Sequence, residues 1–173
     1  MSYGMLGNYN DAIQDATSTI QLDPSNPSAY CTRAEFYRLT SRAYEAIQDT
    51  TKAIQIQPNC STAYFTRGES YRMIEQFKEC IQDMNTIIQI DPNISAAYHT
   101  RAEAHRMINN LEDSLQDATK AIQLDPFNSF AYGTRAAIYC HMKHYNEAIA
   151  DASIAIQIKP SNSFAFGTRA EAY

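Results

Sequence analysis

Ala97-Tyr98-His99-Thr100-Arg101 decides the reading of this chain, because the chain writes it five times. It stands first as Ala29-Tyr30-Cys31-Thr32-Arg33, then at 63–67, 97–101 and 131–135, and last as Ala165-Phe166-Gly167-Thr168-Arg169. Each copy begins 34 residues after the one before, with no insertion or deletion. Pro24, Pro58, Pro92, Pro126 and Pro160 keep the same period. Two independent marks in one strict register identify a repeat array, in which each unit packs on its neighbours rather than around one central core.

Between two proline marks the pattern reads helix, turn, helix. In the unit 27–60, Tyr30, Ala34 and Tyr37 fall at i, i+4 and i+7, one face of a helix over about 28–40. Asn26 suits its cap, and Pro27 suits a first turn where a missing N–H costs nothing. The later units open at Ser61, Ser95, Ser129 and Ser163, which read as N-caps. After a polar turn near 40–42, Ala46, Ile47, Ala53, Ile54 and Ile56 trace a second helix over about 44–56, ended by Pro58. Transposed along the chain, second helices fall near 10–22, 44–56, 78–90, 112–124 and 146–158. First helices fall near 28–40, 62–74, 96–108 and 130–142, with one more starting near 164. Ala12, Ala46, Cys80, Ser114 and Ala148 form a small-residue column that faces Ala34, Gly68, Ala102, Ala136 and Ala170. Small opposite small lets two antiparallel helices approach closely.

Charge and composition exclude several functions. Over 173 residues the net charge is −5, with both signs interspersed and no basic block, so nucleic acid and anionic membrane are not expected as partners. No run approaches the roughly 18 apolar residues of a membrane span. Met1–Asn8 has neither a basic start nor an apolar core, so no signal peptide is expected and the cytoplasm is the expected location. Cys31, Cys60, Cys80 and Cys140 show no CxxC pairing and fall at different places in the repeat, which fits reduced thiols. Asn59-Cys60-Ser61 and Asn93-Ile94-Ser95 match the glycosylation sequon in inter-repeat loops, but use is not expected without secretion. Cys140-His141 and His144 form the one ligand-like cluster, with no further ligand placed, so no metal is expected. A phosphate loop and a nucleophile–base arrangement are both missing from the pattern. No catalytic residue, no cofactor and no enzyme activity are expected.

Two charged columns run against the apolar pattern. Arg33, Arg67, Arg101, Arg135 and Arg169 each stand three residues after the aromatic and four before the next tyrosine position, on the apolar face. Asp15, Asp49, Asp83, Asp117 and Asp151 stand likewise on the apolar face of the second helices. Five cations and five anions at one period are most simply paired. The spacing leaves open whether Arg67 meets Asp83 of its own unit or Asp49 of the unit before.

A 34-residue helix–turn–helix with an aromatic, a small residue and a tyrosine in its first helix resembles the tetratricopeptide repeat, as does the small residue of the second helix with its closing proline. The resemblance implies an all-α, right-handed superhelix of antiparallel helix pairs. It covers 1–173 as a single array: a partial repeat 1–26, complete repeats 27–60, 61–94, 95–128 and 129–162, and a partial repeat 163–173. Gly7, Tyr9, Ala12 and Pro24 carry the match in the first, partial repeat. Tyrosine or phenylalanine replaces the family's common tryptophan, arginine stands where leucine is usual, His105 replaces a tyrosine, and Ile87 replaces an alanine. The last helix has no second helix after it, so a longer array or self-association through that end is expected.

What the family implies about function concerns the first helices, which line a concave groove where extended peptides lie. The groove columns here read Thr32, Thr66, Thr100, Thr134, Thr168; then Glu35, Glu69, Glu103, Ala137, Glu171; then Arg38, Arg72, Arg106, Cys140. A variable column beside the threonines reads Cys31, Phe65, His99, Gly133, Gly167. In the O-linked N-acetylglucosamine transferase members an asparagine ladder in the threonine column grips peptide backbone. A threonine ladder could do the same, or each hydroxyl could bond a carbonyl one turn back. The Glu–Arg spacing of three makes i, i+3 pairs, either as a solvated face or as a mixed-charge groove. The expected peptide-binding residues are therefore Thr32, Glu35, Arg38, Phe65, Thr66, Glu69, Arg72, His99, Thr100, Glu103, Arg106 and Thr134, with Phe65 and His99 as anchors. Members that clamp a chaperone C-terminal tail use Lys, Asn and Arg in these columns, so that tail is not the expected partner. The expected function is a non-catalytic interaction scaffold for a protein or peptide segment. The alternatives are the substrate-recruiting arm of a larger enzyme and an end-to-end self-assembly module.

Overall fold

Proline and left-handed turn residues punctuate the chain into helices. The computed structural model describes residues 3–173, with side chains from Asn8 onward. The leader expectation and the Gly7 match rest on side chains outside these described residues. Among the described residues ten helices follow one another: α1 (Tyr3–Leu22), α2 (Pro27–Leu39), α3 (Ala43–Ile56), α4 (Ser61–Met73), α5 (Phe77–Ile90), α6 (Ser95–Met107), α7 (Leu111–Leu124), α8 (Ser129–His141), α9 (Tyr145–Ile158) and α10 (Ser163–Ala172). From α2 to α9 each boundary lies within one residue of the sequence expectation. Only α1 departs, starting at Tyr3 rather than near 10, since no proline precedes Pro24 to bound it.

The helices gather into two compact units, 1–90 and 91–173. In the first, α2 packs on α1, α3 and α4, and α4 packs on α3 and α5. In the second, α8 packs on α6, α7, α9 and α10, α6 packs on α7, and α10 also packs on α9.

Within each complete repeat the turn is made the same way. Ser41, Glu75, Asn109 and Lys143 all take a left-handed conformation, with φ of 60–63°. The next residue's N–H then donates back to a carbonyl in the last turn of the helix, in the Schellman pattern: Arg42 to Tyr37, Gln76 to Tyr71, Asn110 to His105 and His144 to Tyr139, at 2.8–2.9 Å. This reverses the chain without glycine, at a small steric cost in each turn.

At the repeat starts the structure corrects the capping residues. Asn26 caps α2 as expected, its Oδ1 accepting from Ser28 and Ala29 N–H, with Pro27 in the first turn. The serines, however, are the first helical residues, and the caps are Cys60, Ile94, Asn128 and Asn162. Freed from capping, Ser95 and Ser129 donate to Ala121 O at 2.9 Å and Ala155 O at 2.8 Å, tying the start of a first helix to the last turn of its partner. Asn162 is a buried node. Its Nδ2 donates to Ser129 Oγ at 2.8 Å while its Oδ1 accepts from Ala165 N at 3.1 Å. Asn162→Ala removes a cap and strands the Ser129 contact, so it is expected to cost about 1–3 kcal/mol in urea denaturation. An exposed asparagine changed to alanine, such as Asn93→Ala, serves as the comparison.

The small-residue columns meet as expected. Ala46, Cys80, Ser114 and Ala148 are fully buried, as are Ala34, Ala102 and Ala136. Ser114 Oγ donates to Ala102 O at 2.7 Å, so the two backbones are within one side chain of each other. Ala170 is exposed and Ala12 half-buried, so the column is sealed only inside complete helix pairs. Ile87, with 1% exposure, is fully accommodated where alanine is usual. His105 stays half-buried, its Nδ1 3.3 Å from Asn110 Nδ2 and its Nε2 4.0 Å from Asp117.

The arginine column pairs within its own repeat. Arg33, Arg67, Arg101 and Arg135 each donate two bonds, at 2.6–2.9 Å, to Asp49, Asp83, Asp117 and Asp151. Arg33, Arg67 and Arg135 also reach Thr17, Thr51 and Thr119 of the preceding second helix at 3.1–3.5 Å. Each of these three arginines therefore joins its own hairpin to the helix before it. The expected fifth pairing is corrected: Asp15 is exposed, and Arg169 donates to Ser153 Oγ at 3.2 Å. The pair needs both helices of one hairpin, and neither residue has them among the described residues.

Candidate interaction surface

In the first unit, α2 and α4 place the expected groove residues on adjacent first helices. Glu35 and Glu69 each take a two-pronged bond from the arginine three residues on: Arg38 at 2.6 and 2.9 Å, Arg72 at 2.9 and 3.2 Å. The i, i+3 pairing is thus realised, and it draws those charges onto each other along the helix surface. Thr32 is exposed, Phe65 is half-buried and Thr66 is buried. Cys31 is buried, and its Sγ lies 3.8 Å from Cys60 Sγ.

In the second unit, α6, α8 and α10 assemble a denser cluster. Thr134 Oγ1 donates to Glu103 Oε1 at 2.7 Å and stands 3.2 Å from His99 Nε2. With 1% exposure, Thr134 sits in the seam between α6 and α8. Its hydroxyl is spent on Glu103, so for Thr134 neither a backbone ladder nor a carbonyl one turn back is the arrangement found. Thr100 and Thr168 are also buried. Burial pushes the Glu103 carboxyl up, but Arg106, the Thr134 bond and His99 together outweigh it and hold the carboxyl below its ordinary value. Arg106 meets Glu103 by one bond at 3.3 Å, looser than the pairs of the first unit, and its buried Nε has no hydrogen-bond partner among the described residues. The same guanidinium lies 6.0 Å from the Phe164 ring.

Sequence reasoning missed two residues of this cluster. Phe130 and Phe164 are 49% and 41% exposed despite their size. Phe130 stands 6.4 Å from the His99 ring, with Lys159 Nζ 4.5 Å from its centroid. Phe164 lies across Gly133, where an added Cβ would come within 3.2 Å of its ring. The signal was in the column just before the repeated pentapeptide, which reads Ser28, Thr62, Ala96, Phe130, Phe164. Its change from small to aromatic coincides with the loss of a side chain at Gly133. Of the expected anchors, His99 belongs to this cluster and Phe65 lies on the first unit.

Among the described residues no group of three or more His, Cys, Asp or Glu side chains could hold a metal ion, and His144 stacks on Tyr139 at 6.1 Å. No described helix is long and apolar enough to cross a membrane.

Known proteins resemble the chain in part of its sequence and in its fold. The tetratricopeptide repeat family profile matches residues 118–150, from the second half of α7 through α8 to the first half of α9. The crystal structure of MamA is similar over 94% of this chain and 98% of its own, with a TM-score of 0.80 and 18% identity. The family match thus covers about one repeat of the chain, and the structural likeness shows the fold. Its all-α fold is that of the tetratricopeptide solenoids. TTC0263, a thermophilic tetratricopeptide-repeat protein of Thermus thermophilus, aligns over 97% of this chain and 92% of its own, with a TM-score of 0.79 and 15% identity. YrrB, described as a tetratricopeptide-repeat protein with an unusual peptide-binding site, aligns over 94% and 84%, with a TM-score of 0.75 and 16% identity. No curated protein sequence matches the chain.

Proposed function

We propose that the chain is a single tetratricopeptide array over 1–173 that binds an extended protein segment along its first helices, without catalysis of its own. The unbroken 34-residue register across position 90 supports one array. The segment seats an apolar or aromatic side chain on Phe130 and Phe164 and sets an acidic group beside Lys159 and Arg106. One observation carries this reading: two large rings stay half-exposed, Phe130 beside His99 and Phe164 across Gly133, each with a cation against it. Aromatic side chains that stay open to a partner, with a cation over the ring, are common centres of binding energy. A chaperone tail is a poor fit, since Thr, Glu and His occupy the clamp columns. The proposed location is the cytoplasm, in keeping with four cysteines that show no pairing pattern in the sequence.

The test is a peptide-library selection on the whole chain, followed by affinities for the selected peptides. Phe130→Ala and Phe164→Ala are expected to weaken binding on the order of tenfold each, while Phe65→Ala on the first unit changes it little. Both rings are exposed, so helicity should be unaltered. Selected peptides that bind both variants as tightly as the parent would remove the assignment.

A further inference from the structure

Two thiols that the groove does not use lie together in the first unit. Cys31, near the start of α2, and Cys60, the residue capping α4, are 29 positions apart in sequence, and their sulfurs are 3.8 Å apart. Cys31 belongs to an apolar cluster with Tyr30, Ala53 and Ala63, and Cys60 packs against it from the loop that leads into α4. A disulfide needs an S–S distance near 2.05 Å, about 1.8 Å less, which is within the reach of side-chain rotation when both backbones are already near. Cys60 has no capping bond to give up. Cys80 and Cys140 are placed differently: Cys80 is fully buried beneath Gly68, and Cys140 Sγ is 3.6 Å from Thr168 O.

We infer that Cys31 and Cys60 form a reversible disulfide site, closed by low-molecular-weight disulfides of the glutathione class. Cys60, the more exposed of the two, enters first. Its thiolate attacks one sulfur of the small disulfide, forms a mixed disulfide and releases one small thiolate. Cys31 then loses its proton to solvent and attacks Cys60 Sγ, and the second small thiolate leaves. Two protein thiols are oxidised and one small disulfide is reduced to two thiols, which balances. Burial pushes the Cys31 thiol above its ordinary value, so the second step is the slow one and speeds as pH rises. The bridge ties α2 to the start of α4 and so fixes the spacing of the two first helices that carry Glu35, Arg38, Phe65, Glu69 and Arg72.

The experiment treats the whole chain with glutathione disulfide, alkylates remaining thiols and maps peptides without reduction. The expected product has two thiols lost and a cross-linked Cys31–Cys60 peptide, with Cys80 and Cys140 alkylated. Dithiothreitol should restore all four thiols, and the oxidised form should melt about 5–10 °C higher. Cys60→Ser should abolish the cross-link, whereas Cys140→Ser should leave it. Because the map is made on the unsubstituted chain, it does not depend on any variant folding. Four free thiols after prolonged treatment, or a persistent glutathione adduct on Cys60 with Cys31 free, would overturn the site. Neither result bears on peptide binding at Phe130 and Phe164.

Discussion

Arg67→Leu is expected to lower stability by about 3–5 kcal/mol near neutral pH, because it leaves a buried carboxylate without its counter-charge. Asp83 is 3% exposed and receives both Arg67 bonds, at 2.7 and 2.9 Å. The guanidinium also lies 5.4 Å and 5.9 Å from the Tyr64 and Tyr71 rings, so leucine replaces only part of its contact area. The double variant Arg67→Leu with Asp83→Leu removes the orphaned charge and should recover much of the loss, since a buried pair is often no better than well-packed apolar groups. Additive losses would show that the two residues do not act as a pair. The pH dependence has a definite sign. Burial raises the Asp83 carboxyl above its ordinary value even with Arg67 beside it, and without Arg67 the rise is greater. The native state then binds more protons than the unfolded state between the unfolded and folded values, so stability falls as pH rises through that window. The deficit of Arg67→Leu against the parent should therefore shrink as pH is lowered toward about 4. Denaturant titrations of both proteins at several pH values measure it.

Met84→Ala is expected to cost about 2–5 kcal/mol, and Gly68→Ala in the same chain should return part of it. Met84 is fully buried, and its Cε fills the space where a Cβ at Gly68 would stand. At the equivalent positions the other repeats carry Ala34 and Thr50, Ala102 and Ala118, and Ala136 and Ala152. Gly68 and Met84 thus exchange volume across one hairpin. Gly68→Ala alone should cost about 1–3 kcal/mol, limited by how far the flexible methionine end can move. The double variant restores an alanine pair that two other repeats already use, so it should be more stable than Met84→Ala alone. Melting temperatures of the four proteins decide the point. A double-variant loss equal to or greater than the sum of the two single losses would show the positions to be independent.

The repeat made the helices legible because period and proline are local signals. The capping residues were misplaced by one position for a local reason as well. Serine is a competent cap in isolation, and only the carbonyls of Ala121 and Ala155 across the hairpin show why Ser95 and Ser129 lie inside the helix. The threonine column shows the same limit. Its one-turn-back and ladder alternatives both assume a helix considered alone, whereas Thr134 answers to Glu103 on the neighbouring helix. Phe130 and Phe164 went unread because an aromatic at the start of an amphipathic helix ordinarily packs. Their exposure depends on what α6, α8 and α10 leave uncovered.

The sequence by itself determined the helix positions, the face each buries, the small-against-small contact and the existence of the Arg–Asp pairs. These follow from periodicity within one chain segment and from the cost of an unpaired buried charge. Tertiary structure alone decided that each paired arginine finds its aspartate inside its own hairpin, that Met84 fills the hollow at Gly68, that two aromatic rings stand open beside Arg106 and Lys159, and that Cys31 meets Cys60. All four are contacts between helices. Their partners are set by the distance and rotation of neighbouring backbones, which a one-dimensional period does not contain.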